Sequence, residues 1–164
     1  MAKIDITAEL IRERLNYDAD TGVFTWRTSP RVPSKVGRVA GSHDFHGYLQ
    51  LNIGGNVLKV HRLVWLHVYG EWPRGHIDHI NGVKDDNRLS NLRVVTNAIN
   101  CQNKRAPLPS NKSGFLGVSW QAGAWRAKIQ LNGKQHHLGR FRTPEEAHCA
   151  YLTAKRRLHE GCSI

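Results

Sequence analysis

Hydrophobic residues recur along the first half of the chain in short patterns that predict small helices and strands. Apolar positions three and four residues apart follow Thr7, a residue type that caps helices, and predict a short first helix. Alternating positions in YLQLNIGGNVLKV, around Gly54 and Gly55, predict a β-hairpin. The segment HRLVWLHVYG then predicts a buried helix that ends at Gly70.

The pattern after residue 75 predicts strands first and a helix at the end. Alternation predicts two strands, at 76–80 and 92–96, joined by a polar loop, and residues 97–104 then predict a helix. Three further strand patterns follow, GFLGVSW, AWRAKIQL and KQHHLGRF, with glycine-containing turns between them. A capping box formed by Thr143 and Glu146 begins an amphipathic helix. The chain is therefore predicted to be α+β.

Charge narrows the range of partners. The chain has 24 Lys and Arg residues against 13 Asp and Glu, a formal net charge of +11. A surface this basic favours a polyphosphate partner, because each neutralised phosphate releases counterions. No helix combines a Lys/Arg face with a broad apolar face, so an anionic membrane is the weaker alternative. Three cysteines without a C-x-x-C pair argue against a zinc ribbon or a disulfide scaffold.

Residues 76–104 are unusually rich in groups that bind metals or protons, with two histidines, three aspartates and six asparagines. Hydrolysis of a phosphodiester needs a base and a cation. Histidine is suited to be the base, and carboxylate and amide oxygens are suited to bind a hard cation. The ordinary alternative is that such residues form turns and caps, and we favour it for Asn81, Asp85, Asp86 and Asn87. We assign no role to His43, His46, His61 or His67. Histidines of this kind are usually packed or on the surface.

The stretch IDHINGVKDDNRLSNLRVVTNAIN resembles the motif of HNH endonucleases, specifically the phage and intron-associated homing branch with the pattern D-H…N…N. The resemblance implies a two-stranded ribbon and a helix around one divalent metal ion, Mg²⁺ or Mn²⁺. It implies that His79 activates water and that Asn91 braces the ribbon and orients His79. Asp78 and Asn100 would hold the metal. His76, two residues before Asp78 on the same strand face, is a possible further ligand.

Strand alternation constrains where this site can lie. Asp78 and His79 are neighbours and should point to opposite faces of the strand. Both must nevertheless address one phosphate. We therefore expect the site at the end of the strand, near the turn at residues 80–82.

Residues 115–160 resemble the Apetala-type (ERF) DNA-binding domain, in FLGVSW, AWRAKI and HLGRFRTPEEAHCAY. The resemblance implies that a three-stranded sheet enters the major groove while a helix packs behind it. Departures such as Leu116 mean that the recognition sequence of the plant proteins should not be transferred. For Trp120 we favour a buried position over stacking on a base or sugar, because lone aromatic side chains are usually buried. The residues expected to contact DNA are Lys104, Arg105, Arg126, Lys128, Gln130, Gln135 and His137.

The predicted fold is thus α+β, with a small ββα-metal module preceded by a short helix and a β-hairpin and followed by a three-stranded antiparallel sheet packed on one C-terminal helix. The predicted segments are 1–58, N-terminal helix and strands that support the catalytic module and contact DNA; 59–105, HNH module; 106–114, linker; and 115–161, ERF-type domain. The linker is predicted because the segment KRAPLPSNKSG contains two prolines and shows no periodic pattern of apolar residues.

We expect a metal-dependent endonuclease that nicks or cuts double-stranded DNA, targeted by its C-terminal domain, in a phage or mobile element. The first alternative is a non-catalytic DNA-binding regulator that keeps the nuclease fold. The second is an RNA-processing or RNA-binding protein, which the charge allows but no RNA-module signature suggests. No apolar run approaches the roughly 20 residues needed to span a bilayer, and no signal peptide is visible. We therefore expect the cytoplasm, that of the bacterial host if a phage encodes the chain. The oligomeric state stays open, with a monomer favoured and a dimer possible.

Overall fold

The structure is a computed structural model that describes residues 4–163. Residues 1–3, the start of the predicted 1–58 segment, and Ile164 lie outside the described part. The chain divides into two compact units, Met1–Thr96 and Asn97–Ile164. Helices and antiparallel sheets occur in both units, which confirms the predicted α+β class. No helix of the described chain is long and apolar enough to cross a membrane.

Within residues 4–96, the first unit contains two α-helices, two short 3-10 helices and three small antiparallel sheets. Its elements are α1 Ala8–Arg14, β1 Leu15–Asp18, β2 Val23–Trp26, β3 Ser42–His43, β4 Leu49–Ile53, β5 Asn56–Lys59, α2 Val60–Tyr69, β6 His76–His79 and β7 Leu92–Val95. The sheets are β1-β2, β3-β4-β5 and β6-β7. The predicted first helix, the hairpin around residues 54 and 55 and the buried helix are therefore confirmed.

Local signals explain where the two helices of this unit begin and end. The hydroxyl of Thr7 accepts a hydrogen bond from the backbone N–H of Leu10 at 3.2 Å, which caps the start of α1. At the end of α2, Gly70 adopts a left-handed conformation with φ 78°, and its N–H donates to the carbonyl of Leu66 at 2.9 Å. Glycine takes this conformation without steric strain, so the helix stops there.

One hydrophobic core joins the N-terminal elements to the β6-β7 ribbon. Its buried members include Ile11 of α1, Phe24 of β2, Leu63 of α2, and Ile77 and Leu92 of the ribbon. Helices this short gain most of their stability from such packing. The domain boundary predicted between residues 58 and 59 divides this core. The ribbon is therefore packed against residues from both sides of that boundary.

The second unit is a three-stranded sheet with a long helix on one face. Its elements are α3 Asn97–Gln102, β8 Val118–Gln121, β9 Ala124–Leu131, β10 Lys134–Phe141 and α4 Pro144–Leu158, and the strand order is β10-β9-β8. Thr143 and Glu146 form the predicted capping box at the start of α4. Ala127 and Ile129 of β9 pack with Tyr151 of α4 in a separate core.

Two features of the second unit differ from expectation. Trp120 is 57% exposed; it lies on edge strand β8, and its ring centroid is 5.0 Å from that of Trp125. The expectation of a buried tryptophan was therefore wrong. Helix α3 groups with this unit, and the side-chain oxygen of Gln102 accepts the N–H of Gly161 at 3.0 Å. The helix predicted to complete the 59–105 segment is thus anchored to residues beyond α4.

Candidate active site

The β6-β7 ribbon and its loop carry most of the predicted site. In the antiparallel pair, Asp78 lies opposite Arg93 and His79 lies opposite Leu92. The N–H of Ile80 donates to the carbonyl of Asn91 at 2.9 Å, which closes the ribbon at the point where the loop begins.

Asn91 holds the loop through its side chain. Its amide oxygen accepts the N–H of Asn81 at 2.9 Å, and its amide nitrogen donates to the carbonyl of Asp86 at 2.8 Å. Both contacts are to backbone groups at opposite ends of the loop, and Asn91 is buried. The structure thus places Asn91 as a brace of the loop, while the side chain that meets the ring of His79 is Asn87.

Several loop residues make the turn contacts expected of them. The side-chain oxygen of Asn81 accepts the N–H of Val83 at 2.8 Å. The carboxylate of Asp86 accepts the side chains of Arg88 and Asn81 at 2.6 and 2.7 Å, and these contacts, the first above all, lower its pKa to about 2. The loop is therefore held by charged and amide hydrogen bonds over its whole length.

His79 is buried, with 5% of its surface exposed, and its Nε2 lies 3.2 Å from the side-chain oxygen of Asn87. The amide nitrogen of Asn87 donates to the carbonyl of Asp85 at 3.0 Å, which fixes the orientation of the amide. Because the amide oxygen can only accept, Nε2 of a neutral His79 carries the proton. The lone pair that can accept a proton is then on Nδ1.

The surroundings of His79 favour the neutral imidazole. Its ring lies edge-on to that of His61, with centroids 5.1 Å apart, and 5.9 Å from the ring of Tyr48. Burial lowers the pKa of His79, against the opposing effects of the Asn87 hydrogen bond and nearby carboxylates. A neutral, oriented imidazole is the form in which histidine accepts a proton at neutral pH.

Asn87 is the functional candidate that the sequence pattern missed. It is 1% exposed, and besides contacting His79 it accepts, at its backbone carbonyl, the hydroxyl of Tyr17 at 2.9 Å. The turn expected of it is also present, in its bond to Asp85. Only its place inside the ligand-rich segment could have suggested a second role.

Asp78 faces a different neighbour from His79. Both Nε and Nη2 of Arg93 donate to one carboxylate oxygen of Asp78, at 2.9 and 2.8 Å, and Asp78 is 5% exposed. The two adjacent residues therefore have separate sets of contacts, as alternation predicts. His76, the possible further ligand, is exposed and lies opposite Val95.

The predicted metal ligands fit a hard cation in their chemistry. Asp78 offers a carboxylate and Asn100 an amide oxygen, the donor types that Mg²⁺ and Mn²⁺ prefer. Within residues 4–163 no group of three or more His, Cys, Asp or Glu side chains could hold a metal ion. Asn100 lies on α3, in the second unit, and its role stays a prediction.

The residues expected to contact DNA differ in their surroundings. Cross-strand pairing puts Gln130 beside Gln135 and Lys128 beside His137, which gives one polar face of the sheet. The residues that are half-buried are Arg126 and Lys128, and those that are exposed are Lys104, Arg105, Gln130, Gln135 and His137. Arg105 also donates to the carbonyl and hydroxyl of Ser163 at 2.8 and 2.9 Å, and Arg126 to the side chain of Gln121 at 3.0 Å.

Comparison with known proteins agrees with the ribbon geometry. The family model "HNH endonuclease" matches residues 58–102. Protein 3.8 of Escherichia phage T7 is 36% identical over 102 residues, which cover 60% of this chain and 83% of that protein. DNA endonuclease I-HmuI of Bacillus phage SP01 is 43% identical over 66 residues, 40% of this chain and 34% of I-HmuI. No solved structure matches the chain significantly.

A third relative comes from a virus of an amoeba. The uncharacterized HNH endonuclease L560 of Acanthamoeba polyphaga mimivirus is 33% identical over 92 residues, 55% of this chain and 47% of that protein. The chain thus spans about a third of I-HmuI and about half of L560. The prediction of an HNH endonuclease domain is confirmed, and the chain belongs to one family with Protein 3.8 of phage T7.

Proposed function

We propose that the protein is a metal-dependent endonuclease that hydrolyses phosphodiester bonds in double-stranded DNA. The observation that carries the proposal is the buried, neutral His79 held by Asn87 within a segment that matches the HNH endonuclease model. The net charge of +11 supports a polyphosphate substrate. The similarity to I-HmuI, a DNA endonuclease, supports DNA as that substrate.

The proposed reaction begins with proton transfer to His79. Nδ1 of the imidazole takes a proton from a water molecule, and the resulting hydroxide attacks phosphorus in line with the leaving oxygen. Asn87 keeps the ring in one tautomer and one orientation through Nε2. Asn91 keeps the loop that carries Asn87 closed on the ribbon. Asn87 and Asn91 thus act by positioning the imidazole of His79 and the loop beside it.

Asp78 and Asn100 are the residues that would hold the divalent cation, Mg²⁺ or Mn²⁺. When bound, such a cation supplies charge stabilisation to the phosphorane and the leaving oxygen. Arg93 holds the carboxylate of Asp78 by two hydrogen bonds to one oxygen, which fixes the orientation of this donor. A carboxylate so fixed needs little rearrangement to act as a ligand.

The second unit is proposed to target the nuclease, as an ERF-type DNA-binding domain would. Support comes from the three-stranded antiparallel sheet with one helix on its inner face and a polar outer face that carries Lys128 and His137. Of the exposed candidates, Arg105 is used in bonds to Ser163, so we propose the strand residues as the main contacts. The phage relatives support a phage or mobile-element setting. The homing-type role follows only from the resemblance of the D-H…N…N motif.

A plasmid-cleavage assay tests the proposal. Supercoiled DNA carrying phage target sequences is incubated with the full chain and Mg²⁺ or Mn²⁺, and nicked and linear products are measured. His79→Ala should lower the cleavage rate about 10²- to 10⁴-fold, the usual contribution of a general base. His136→Ala is the matched control, because His136 is exposed on β10 outside the ribbon.

The same assay separates the enzyme from its alternative, a DNA-binding regulator that keeps the fold. A regulator would bind the plasmid and leave it supercoiled across all metals tested. A single site cuts one strand per visit, so a monomer should yield nicked circles before linear DNA. Cleavage that is equal in wild type and His79→Ala would contradict the assignment of the base.

A further inference from the structure

The turn between β3 and β4 presents an aromatic side chain to solvent. Phe45 is 92% exposed, more than any other large apolar side chain in residues 4–163. The ring of His46 lies beside it, with centroids 3.8 Å apart and planes at 40°. An exposed aromatic that is backed by a second ring offers a flat surface for stacking.

The turn holds Phe45 in place through Asp44. One carboxylate oxygen of Asp44 accepts the N–H groups of His46 and Tyr48, at 2.8 and 2.9 Å, and its backbone N–H donates to the carbonyl of Tyr48 at 2.8 Å. Lys59 pairs with the other oxygen, and this ion pair is the main cause that lowers the pKa of Asp44 to about 2. The exposed ring is therefore carried by an ordered turn.

The turn is tied directly to the loop that holds the base. Lys84 donates to the carbonyl of His46 at 2.9 Å, and its ammonium lies 5.2 Å from the ring centroid of Tyr48. Nε2 of His43 lies 3.1 Å from the carboxylate of Asp85. Tyr48 in turn lies against the ring of His79. Phe45 is thus positioned by the same contacts that surround the proposed catalytic histidine.

We propose that Phe45, backed by His46, is a stacking wedge that inserts between adjacent bases of duplex DNA next to the bond that is cut. The inference rests on the proposed function for the identity of the partner. Charge complementarity supports it, because Lys84 places an ammonium group beside the turn, where a phosphate that flanks an opened base step would lie. Proteins that insert apolar side chains unstack one step and kink the duplex. A kink at this place would present the backbone to His79.

DNA topology gives a readout that does not require the recognition sequence. Relaxed closed-circular plasmid is mixed with the full chain in EDTA and treated with a type I topoisomerase that needs no metal. The topoisomers are resolved after the protein is removed. A wedge unwinds the step it enters, so wild type should shift the linking number in proportion to bound protein. Phe45→Ala should lose this shift and bind DNA about tenfold more weakly.

Two further variants make the test specific. Phe45→Trp keeps a stacking ring and should keep the shift. Leu108→Ala is the matched control, since Leu108 is an apolar, non-aromatic residue that is 67% exposed in the predicted linker, and it should behave as wild type. Thermal unfolding of each variant confirms that it is folded.

The proposal is overturned if wild type binds DNA without unwinding it, or if Phe45→Ala unwinds DNA as much as wild type at equal occupancy. It is also overturned if Leu108→Ala loses as much of the linking-number shift as Phe45→Ala does. Self-association through Phe45 without DNA binding would also overturn it, in favour of a contact between copies. Metal-dependent cleavage is measured separately. Unwinding that depends on Phe45 in a protein that never cleaves would remove the proposed nuclease function and leave the wedge standing.

Discussion

The imidazole of His79 lies edge-on to that of His61, with ring planes at 88°. Nδ1 of His61 is buried and has no hydrogen-bond partner within residues 4–163. Burial, with a smaller effect from neighbouring His79, lowers the pKa of His61 to about 3. Two neutral rings can share this space, whereas two cations would repel each other in a poorly hydrated site.

This pair makes stability depend on pH. The unfolded chain protonates His61 near its ordinary pKa of 6.5, and the folded chain does so only near 3. The contribution of neutral His61 to the free energy of unfolding is therefore complete above pH 6.5. It is lost as the pH falls from 6.5 towards 3, by up to about 1.4 kcal/mol per pH unit. Urea unfolding at pH 7 and pH 5 measures the loss. His61→Gln should reduce the dependence of the free energy of unfolding on pH. The reduction should be partial, because the lowered pKa values of His67 and His79 act in the same direction.

The contact between Asn87 and His79 predicts a specific loss of rate. Asn87→Ala frees the ring to adopt the other tautomer, so cleavage should slow about tenfold or more while DNA affinity changes little. Asn16→Ala is the matched control, since Asn16 is exposed on β1. Equal rates in wild type and Asn87→Ala, measured in single-turnover cleavage, would show that the ring needs no such support.

Gly22 predicts a steric link between the first hairpin and the loop. A Cβ at this position would lie 2.3 Å from the backbone nitrogen of Arg88 and 2.5 Å from the carbonyl carbon of Asn87. Gly22→Ala should therefore lower both the free energy of unfolding, by about 1 to 3 kcal/mol or more, and the cleavage rate. Gly37→Ala has a similar φ, +80° against +73°, but no atom within 4 Å, and measures backbone strain alone. Similar losses in both variants would refute the steric link.

Metal binding can be measured without activity. If Asp78 is a ligand, Mn²⁺ should raise the melting temperature of wild type and leave Asp78→Asn unchanged, because an amide binds a hard cation more weakly than a carboxylate. Asp20→Asn serves as the control, since Asp20 is exposed in the turn between β1 and β2. A Mn²⁺ response that survives in Asp78→Asn would place the cation elsewhere.

The outer face of the β8–β10 sheet predicts a change in salt dependence. If Lys128 contacts a phosphate, Lys128→Gln should weaken binding to all sequences and reduce the slope of log K against log salt by about 1. Lys112→Gln, in the predicted linker, should leave the slope unchanged. Fluorescence anisotropy over a range of NaCl concentrations gives both slopes. Equal slopes for Lys128→Gln and wild type would argue against a phosphate contact by this residue.

Sequence reasoning worked where the signal was local. The caps at Thr7 and Thr143, the hairpin at Gly54 and the end of α2 at Gly70 each depend on a few adjacent residues, and all are present. The family also followed from one continuous motif. Fold class and family were therefore predictable from the printed chain.

Contacts between distant residues were not predictable. Tyr17 meets Asn87 across 70 positions, and His61 gave no sign of its place beside His79, because a histidine in an apolar helix is usually a packing residue. The partner of Asp78, Arg93, follows from strand register, which the loop sets. Trp120 was misplaced for the same kind of reason, since edge position depends on strand order.

The hydroxyl of Tyr17 on the Asn87 carbonyl has a consequence for protein engineering. A fragment limited to residues 58–102 would lack Tyr17, Gly22 and Tyr48, which lie against His79 and the loop between β6 and β7. The matched HNH segment alone would therefore lack contacts that hold this loop. Grafting it onto another DNA reader would require transplanting the N-terminal hairpins as well.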